Sequence, residues 1–471
     1  MKFSAYPKYK ASGVEWLGDV PEHWEVKRLK TSATCWISNV DKVPAEDELP
    51  VRLCNYTDVY YHDHITPDMG LMETTATADE IRRFGLQVGD VVMTKDSESW
   101  DDIAVPALVM ETAPDLVCGY HLAIVRSRKN VLSGGYLLRA FQACAINQQF
   151  QVAASGVTRY GLPKASIGDA WISLPPLLEQ QAIAEFLDRE TGRMDRLMAK
   201  KRELIERLKE KRTALISRTV THGLPPAAAR AAGFPENPPL KPSGLDWLGD
   251  IPAHWACGNL RRFAKMRTGH TPSRNEPDYW ADCTIPWFTL ADVWQLRDGK
   301  KKYLGETKEM ISELGLANSA AELLPPGTVI FSRTASIGFS GIMPTPMATT
   351  QDFWNWICGP KLNPEYLLML FRAMGQVFDR LTSGSTHKTI YQPDAASLSI
   401  PVPPLPEQTA IATYLDAEAA KLDALVAKVE TAIERLQEYR TALITAAVTG
   451  KIDVRNFVAS ADANQVCSEL C

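Results

Sequence analysis

Residues 174–221 read LPPLLEQQAIAEFLDRETGRMDRLMAKKRELIERLKEKRTALISRTVT, and residues 402–449 read VPPLPEQTAIATYLDAEAAKLDALVAKVETAIERLQEYRTALITAAVT. Glu179 corresponds to Glu407 and Thr213 to Thr441, a constant offset of 228 positions (407 − 179). Prolines stop just before each block (Pro175 and Pro176; Pro403, Pro404 and Pro406), where a helix start tolerates them. The interiors are free of proline and rich in Ala, Leu, Glu, Lys and Arg, so each block reads as one long helix. Leu187, Met194, Leu208 and Leu215 recur every seven residues or a multiple of seven, with Ile183, Leu197 and Leu204 in the interleaved series. Leu415, Leu422, Val429, Leu436 and Leu443 occupy the same phase in the second block, with Ile411 and Leu425 beside them. Apolar residues at both heptad positions over four heptads predict a coiled-coil seam, interrupted at Glu190, Lys201 and Glu418. The first helix carries excess base (Arg193, Arg196, Lys200, Arg207, Lys209, Arg212) and the second excess acid (Asp416, Glu418, Asp423, Glu430, Glu434), which predicts that they pair with each other.

A second echo lies upstream of each block. EWLGDVPEHW, residues 15–24, returns as DWLGDIPAHW at 246–255, an offset of 231 (247 − 16). The chain is therefore two tandem halves, a duplication whose period is too long for a solenoid. Trp16, Trp24, Trp247 and Trp255 occur in both halves, which favours a role in packing the segment that enters each domain over a role in readout. Between the halves, HGLPPAAARAAGFPENPPLKPSG (222–244) places a helix-stopping Gly223 ahead of six prolines and predicts an extended connector. After Arg455 the periodicity ends, predicting a frayed tail.

The segments inside each half differ but share landmarks. GDVVMTK (89–95) parallels GTVIFSR (327–333), NYTDVY (55–60) parallels TLADVW (289–294), and SGVTRYGLP (155–163) parallels SGSTHKTIY (383–391). Short β-branched and aromatic runs split by Gly, Pro and Asp predict mixed α/β (α+β) domains. One scaffold with different loop chemistry suits two recognition domains with different targets.

At 471 residues the chain needs two or more domains, and 45% hydrophobic with 23% charged content is that of a soluble globular protein. No apolar run approaches the ~20 residues of a membrane span, and MKFSAYPKYK lacks the apolar region of a signal peptide. Nine scattered cysteines without a C-x-x-C pair fit reduced thiols and a cytoplasmic location. The net charge of −5 does not advertise nucleic-acid binding, but it says nothing of how charge is distributed between faces. His62 and His64 lack a third ligand at suitable spacing, so no metal is expected. ENPPLKP echoes the N-P-P-aromatic motif of amino-methyltransferases, yet Leu240 fills the aromatic slot. No phosphate-cradling or glycine-rich cofactor loop occurs, so neither a cofactor nor a catalytic residue is expected.

The ordered double occurrence of SGVEWLGDVPEHW and SGLDWLGDIPAHW, followed by GHTPSRNEPDYW, IPWFTLADVW, FSRTASIG and TSGSTHKTI, and of two PPL-x-EQ-x-AI openings each running to RTALI, resembles the specificity subunit of type I restriction-modification systems. The resemblance covers nearly the whole chain. It implies target-recognition domains at 1–173 and 243–400, conserved spacer helices at 174–222 and 401–453, a Pro/Ala-rich linker at 223–242 and a C-terminal tail at 454–471. The helices would lie antiparallel with pseudo-two-fold symmetry, each recognition domain taking one half of an asymmetric bipartite target in double-stranded DNA. The implied partners are two methyltransferase subunits and two restriction subunits, with no membrane. Ile183 to Leu215 spans 33 residues, about 50 Å at ~1.5 Å rise, or about 15 base pairs at ~3.4 Å each. A coiled-coil scaffold with peptide-binding variable domains is the alternative.

DNA contacts are expected from Thr57, Lys95, Ser97, Thr158, Arg159 and Tyr160 in the first half, and from Thr271, Ser273, Arg274, Arg333, Ser336, His387 and Lys388 in the second. Arg and Lys read guanine or clamp phosphate, and Ser and Thr serve either purpose. The first half departs from the family pattern: TKDSESWDDIA replaces SRTASIGFSGI, with Lys95 where arginine is expected and Asp96, Glu98, Asp101 and Asp102 crowding the loop.

Overall fold

The computed structural model describes residues 3–382 and 388–457. They fall into two compact units, one within residues 1–201 and 430–471 and the other within residues 202–429. Each unit thus combines one variable segment with a portion of both long helices.

The first unit is built on a five-stranded sheet in the order Ala33–Ile37, Leu122–Ser127, Val91–Thr94, Pro106–Val109, His64–Ile65, antiparallel except for the last pair. Its central strands are buried on both faces, which is why they read as continuous apolar runs. Val91, Met93, Ala123 and Val125 face a core shared with the helix Gly134–Gln142, while Val92, Leu122 and Ile124 face a three-stranded sheet of Leu116–Cys118, Leu49–Cys54 and Met72–Ala76. The period of two along a strand separates the two cores. The second unit repeats the plan. Ala264–Thr268, Phe353–Cys358, Val329–Ser332 and Ser340–Ile342 form an antiparallel sheet beside a three-stranded one, with Val329 and Phe331 in one core and Ile330 in the other.

The long helices run Leu177–His222 (46 residues) and Leu405–Val448 (44 residues). Gly223 follows the first at φ +90 and Gly450 lies just beyond the second at φ +72, left-handed conformations that end a helix. In the first unit Ile183, Leu187 and Met194, near the start of one helix, share a core with Leu443, Ile444, Ala447 and Val448 at the end of the other. In the second unit Ile216 and Val220 share a core with Ile411 and Leu415. Within each unit, then, the start of one helix packs on the end of the other.

The inner face differs from the expected seam in one respect. Leu197, Leu204 and Leu425 stand out of it, 43%, 44% and 47% exposed, whereas Met198, Ile205 and Val426 are buried. The leading series, Leu187 to Leu215 and Leu415 to Leu443, does face inward, with Leu422 buried and Leu208, Leu215, Val429 and Leu436 half-buried. The second inward series is one residue later than the heptad reading placed it, in both helices alike. Both flanking series carry apolar residues, so composition alone does not choose between them.

Charge pairing is also more mixed than the helix compositions imply. Arg212 pairs with Asp423 at 3.9 Å in the second unit, base on the first helix. Arg440 pairs with Asp195 at 3.2 Å in the first unit, with the signs reversed. The two pairs sit at matched positions, 228 residues apart. Arg207 and Lys209 bond instead to Glu203 and Glu206 on their own helix.

The two repeated phrases meet. The strand Glu25–Arg28 pairs antiparallel with Trp171–Leu174, and Ala256–Asn259 with Ser399–Val402, so each His-Trp is carried to the opening of its helix. His23 Nε2 lies 2.8 Å from Glu179, as His254 Nε2 does from Glu407. Gln180 and Gln408 each donate to two backbone carbonyls, Val131 and Pro175 in one unit and Lys361 and Pro403 in the other. Trp24 and Trp255 are buried in the cores, as a packing role requires, whereas Trp16 is 42% exposed.

One local expectation is corrected. The connector is not wholly extended: Pro226–Ala231 forms a short helix with proline at its first position, where its missing N–H costs nothing. Of the tail expected to fray, the described beginning reaches Phe457, which packs against Phe3 and Phe186 with ring centroids 5.9 and 5.1 Å apart. Residues 458–471 lie outside the described residues.

Candidate nucleic-acid interface

Each central strand ends in a cation held by the same backbone bonds. Lys95 follows Val91–Thr94; its N–H donates to the His121 carbonyl at 3.0 Å, and its own carbonyl accepts from Leu162 N at 2.8 Å. Arg333 follows Val329–Ser332; its N–H donates to the Asp352 carbonyl and its carbonyl accepts from Ile390 N, both at 2.9 Å. The segment SGVTRYGLP and residues 388–391 are thereby drawn beside GDVVMTK and GTVIFSR, joined further by the pairing of Tyr160 with Ser97 and of Thr334 with Thr389.

The side chains around this common frame differ. In the first unit Asp96 accepts from Lys95 Nζ at 2.7 Å and from His121 Nδ1 at 2.5 Å. Burial pushes the Asp96 carboxyl up, but the hydrogen bonds from Lys95 and His121, with the charge of Lys95, outweigh it and hold the group below the ordinary carboxylate value. Arg159 donates to His121 Nε2 at 3.3 Å, and the Tyr120 ring lies 3.9 Å from the imidazole. Thr158 and Arg159 are exposed and Tyr160 half-buried. Thr57 is exposed on the helix Tyr56–Tyr61, where Tyr56 and Tyr60 stack with centroids 5.5 Å apart. Tyr60 donates to Asp102 at 2.7 Å, and that bond pushes its hydroxyl up to about 12. Ser97 is 7% exposed, so its side chain is turned from solvent. Asp96, Asp101 and Asp102 all accept bonds from within the domain, which answers their crowding in a DNA-facing loop.

In the second unit the Arg333 guanidinium lies 4.6 Å over the Trp354 ring, a planar stacking available to arginine but not to lysine. Asp352, at the place of His121, accepts from Thr334 at 3.0 Å and Thr350 at 2.9 Å. Arg333 lines a cleft of about 650 Å³ with His270, Gln351 and Tyr391, and Thr271 donates to Gln351 at 2.9 Å beside it. Ser336 is half-buried and Lys388 exposed, while His387 lies outside the described residues. Arg274 and Ser273 do not line this cleft: the Arg274 guanidinium rests 3.8 Å over Trp280 and pairs with Glu309 at 2.5 Å, and the Ser273 carbonyl accepts from Trp280 at 3.0 Å.

His121, Tyr120, Gln351 and Tyr391 escaped the sequence reading. Tyr120, His121 and Gln351 lie in stretches without motif character, whereas Tyr391 closes the landmark SGSTHKTIY but was not singled out within it. Among the described residues no group of three or more His, Cys, Asp or Glu could hold a metal ion, and no helix is long and apolar enough to cross a membrane. His62 lies 3.0 Å from the Asp58 carbonyl.

The profile of a family described as Type I restriction modification DNA specificity domain matches residues 252–435. The type I restriction enzyme MjaIX specificity subunit of Methanocaldococcus jannaschii is 29% identical over 170 residues, 36% of this chain and 38% of that one. A putative type I restriction enzyme MjaX specificity subunit of the same organism is 22% identical across 93% of this chain and 96% of its own. The fold is shared with a chain from a structure of the assembly and conformational transition of a type I R-M system, at TM-score 0.62 and 18% identity over 92% of this chain and 99% of that one. It is shared also with the HsdS subunit of Thermoanaerobacter tengcongensis, at TM-score 0.51 and 16% identity over 92% and 98%.

Proposed function

We infer that this chain, which belongs with the type I restriction-modification specificity subunits, selects the DNA sequence on which partner enzymes act. One recognition domain binds each half of a bipartite target. The observation that carries this is the constant frame with unlike chemistry. A cation leaves the central strand of each unit on the same two backbone bonds, but Lys95 stands with Asp96 and His121, and Arg333 with Thr334, Asp352 and Trp354. Backbone-fixed loops of one geometry with different donors and acceptors are what two unlike half-sites require.

The chain itself supplies no catalysis; two methyltransferase subunits and two restriction subunits do. Leu197 and Tyr439 in the first unit, and Leu204 and Leu425 in the second, are large apolar side chains exposed on the long helices. Leu197 and Leu425 occupy matched positions, which supports one docking surface per modification subunit. The test is selection from a randomised duplex pool by the chain with its modification subunits. The expected product is a motif of two unlike parts separated by unread bases, bound at salt that strips random duplex. A pool that emerges without enrichment overturns the reading, and methyl transfer by the purified chain alone overturns its non-catalytic part.

A further inference from the structure

Arg159 is exposed on the loop ahead of the first long helix, yet it is held. Its guanidinium donates to His121 Nε2 at 3.3 Å. Arginine has no acceptor, so this nitrogen must accept, and the ring proton sits on Nδ1, directed at Asp96 2.5 Å away. Lys95 grips Asp96 from another side at 2.7 Å, and Tyr120 packs on the imidazole at 3.9 Å. The loop is set as well: Gly156 sits at φ +153, and a Cβ there would lie 1.9 Å from the Arg159 carbonyl. Among the described residues no carboxylate pairs with Arg159, whereas Lys95 is already neutralised by Asp96. Of these two cations, the one left to act is Arg159, with its fork restricted in advance.

We propose that Arg159 reads a guanine in the half-site of the first recognition domain, with His121 and Asp96 as positioning residues that fix its orientation. This rests on the function inferred above. A planar fork presents two parallel donors to guanine O6 and N7, and holding it beforehand removes part of the ordering cost of a long side chain. The second domain reaches the same end differently, by laying Arg333 on Trp354.

The test measures binding of the complex with its modification subunits to duplexes in which each pair of the selected motif is replaced in turn. Arg159→Lys keeps the charge but not the fork. It is expected to lower the preference at one G·C pair of one half-site by about tenfold to a hundredfold, with affinity for random duplex retained. His121→Phe keeps the ring beside Tyr120 and removes the acceptor, and should lower the preference at that same pair by about threefold to tenfold. Asp96→Asn keeps an acceptor for the ring proton and should retain most of the preference. A merely structural role would move every position and the melting temperature together. A wild-type profile untouched by Arg159→Lys, a loss spread over all positions, or a loss at an A·T pair overturns this inference alone. A wild-type complex without base preference overturns the function and this inference with it.

Discussion

Glu179 and Glu407 hold matched positions at the openings of the two long helices, yet their removal should not cost the same. Glu179, 7% exposed, accepts from Tyr6 Oη at 2.6 Å, from Trp24 Nε1 at 3.1 Å and lies 2.8 Å from His23. Glu407, 6% exposed, lies 2.8 Å from His254, while Trp255 Nε1 has no hydrogen-bond partner among the described residues. Glu179→Ala orphans two buried donors at about 1–3 kcal/mol each, and half-exposed His23 is rehydrated, for a total of about 3–5 kcal/mol. Glu407→Ala orphans no further buried donor, and about 1–2 kcal/mol is expected. Hydrogen exchange resolved by peptide separates the two units. At about 1.4 kcal/mol per factor of ten, the strands flanking Trp24 should lose roughly a hundredfold or more of protection in Glu179→Ala. Those flanking Trp255 should lose roughly tenfold in Glu407→Ala. Equal losses, or a larger loss in Glu407→Ala, would refute the argument that the donors set the cost.

Burial, reinforced by Glu179, pushes the Tyr6 hydroxyl well above its ordinary range, so the folded protein keeps a proton that the unfolded chain releases near pH 10. That stability is present below about pH 10 and is lost as pH rises beyond it; denaturation of Tyr6→Phe should show a shallower alkaline decline than wild type. Gly156→Ala should displace the Arg159 carbonyl and weaken binding through the first half-site more than tenfold in a mobility-shift titration, with a melting point close to wild type. Arg333→Ala should weaken specific binding by about tenfold or more; if it clamps phosphate, the slope of log affinity against log salt falls by about 1, and if it reads a base the slope holds. Seven residues inserted after both Lys201 and Val429 add about 10 Å to each helix, and methylome sequencing should then report a longer unread spacer; an unchanged spacer would refute the helices as its measure.

The frame of the candidate site was readable because its landmarks come as pairs. Lys95 and Arg333 were found from two copies of a strand ending in a cation, and their shared backbone ties follow from one scaffold folding twice. His121 was not readable. It reaches Asp96 across 25 positions through the pairing of Leu122–Ser127 with Val91–Thr94, and nothing around HLAIV marks it. Ser97 differs in the opposite sense, a polar residue in a polar loop that is buried in the structure.

The duplication, the helical character of both blocks and their proline and glycine boundaries were determined by the sequence alone, since they rest on local propensity and on comparing the chain with itself. Which flank of the heptad faces inward was decided by tertiary structure. Leu197 and Met198, or Leu425 and Val426, are both apolar, yet the folded structure buries one of each pair and exposes its neighbour. The same holds for Glu179: a carboxylate in a helix opening is unremarkable until Tyr6, His23 and Trp24 arrive from more than 150 residues away and require an acceptor.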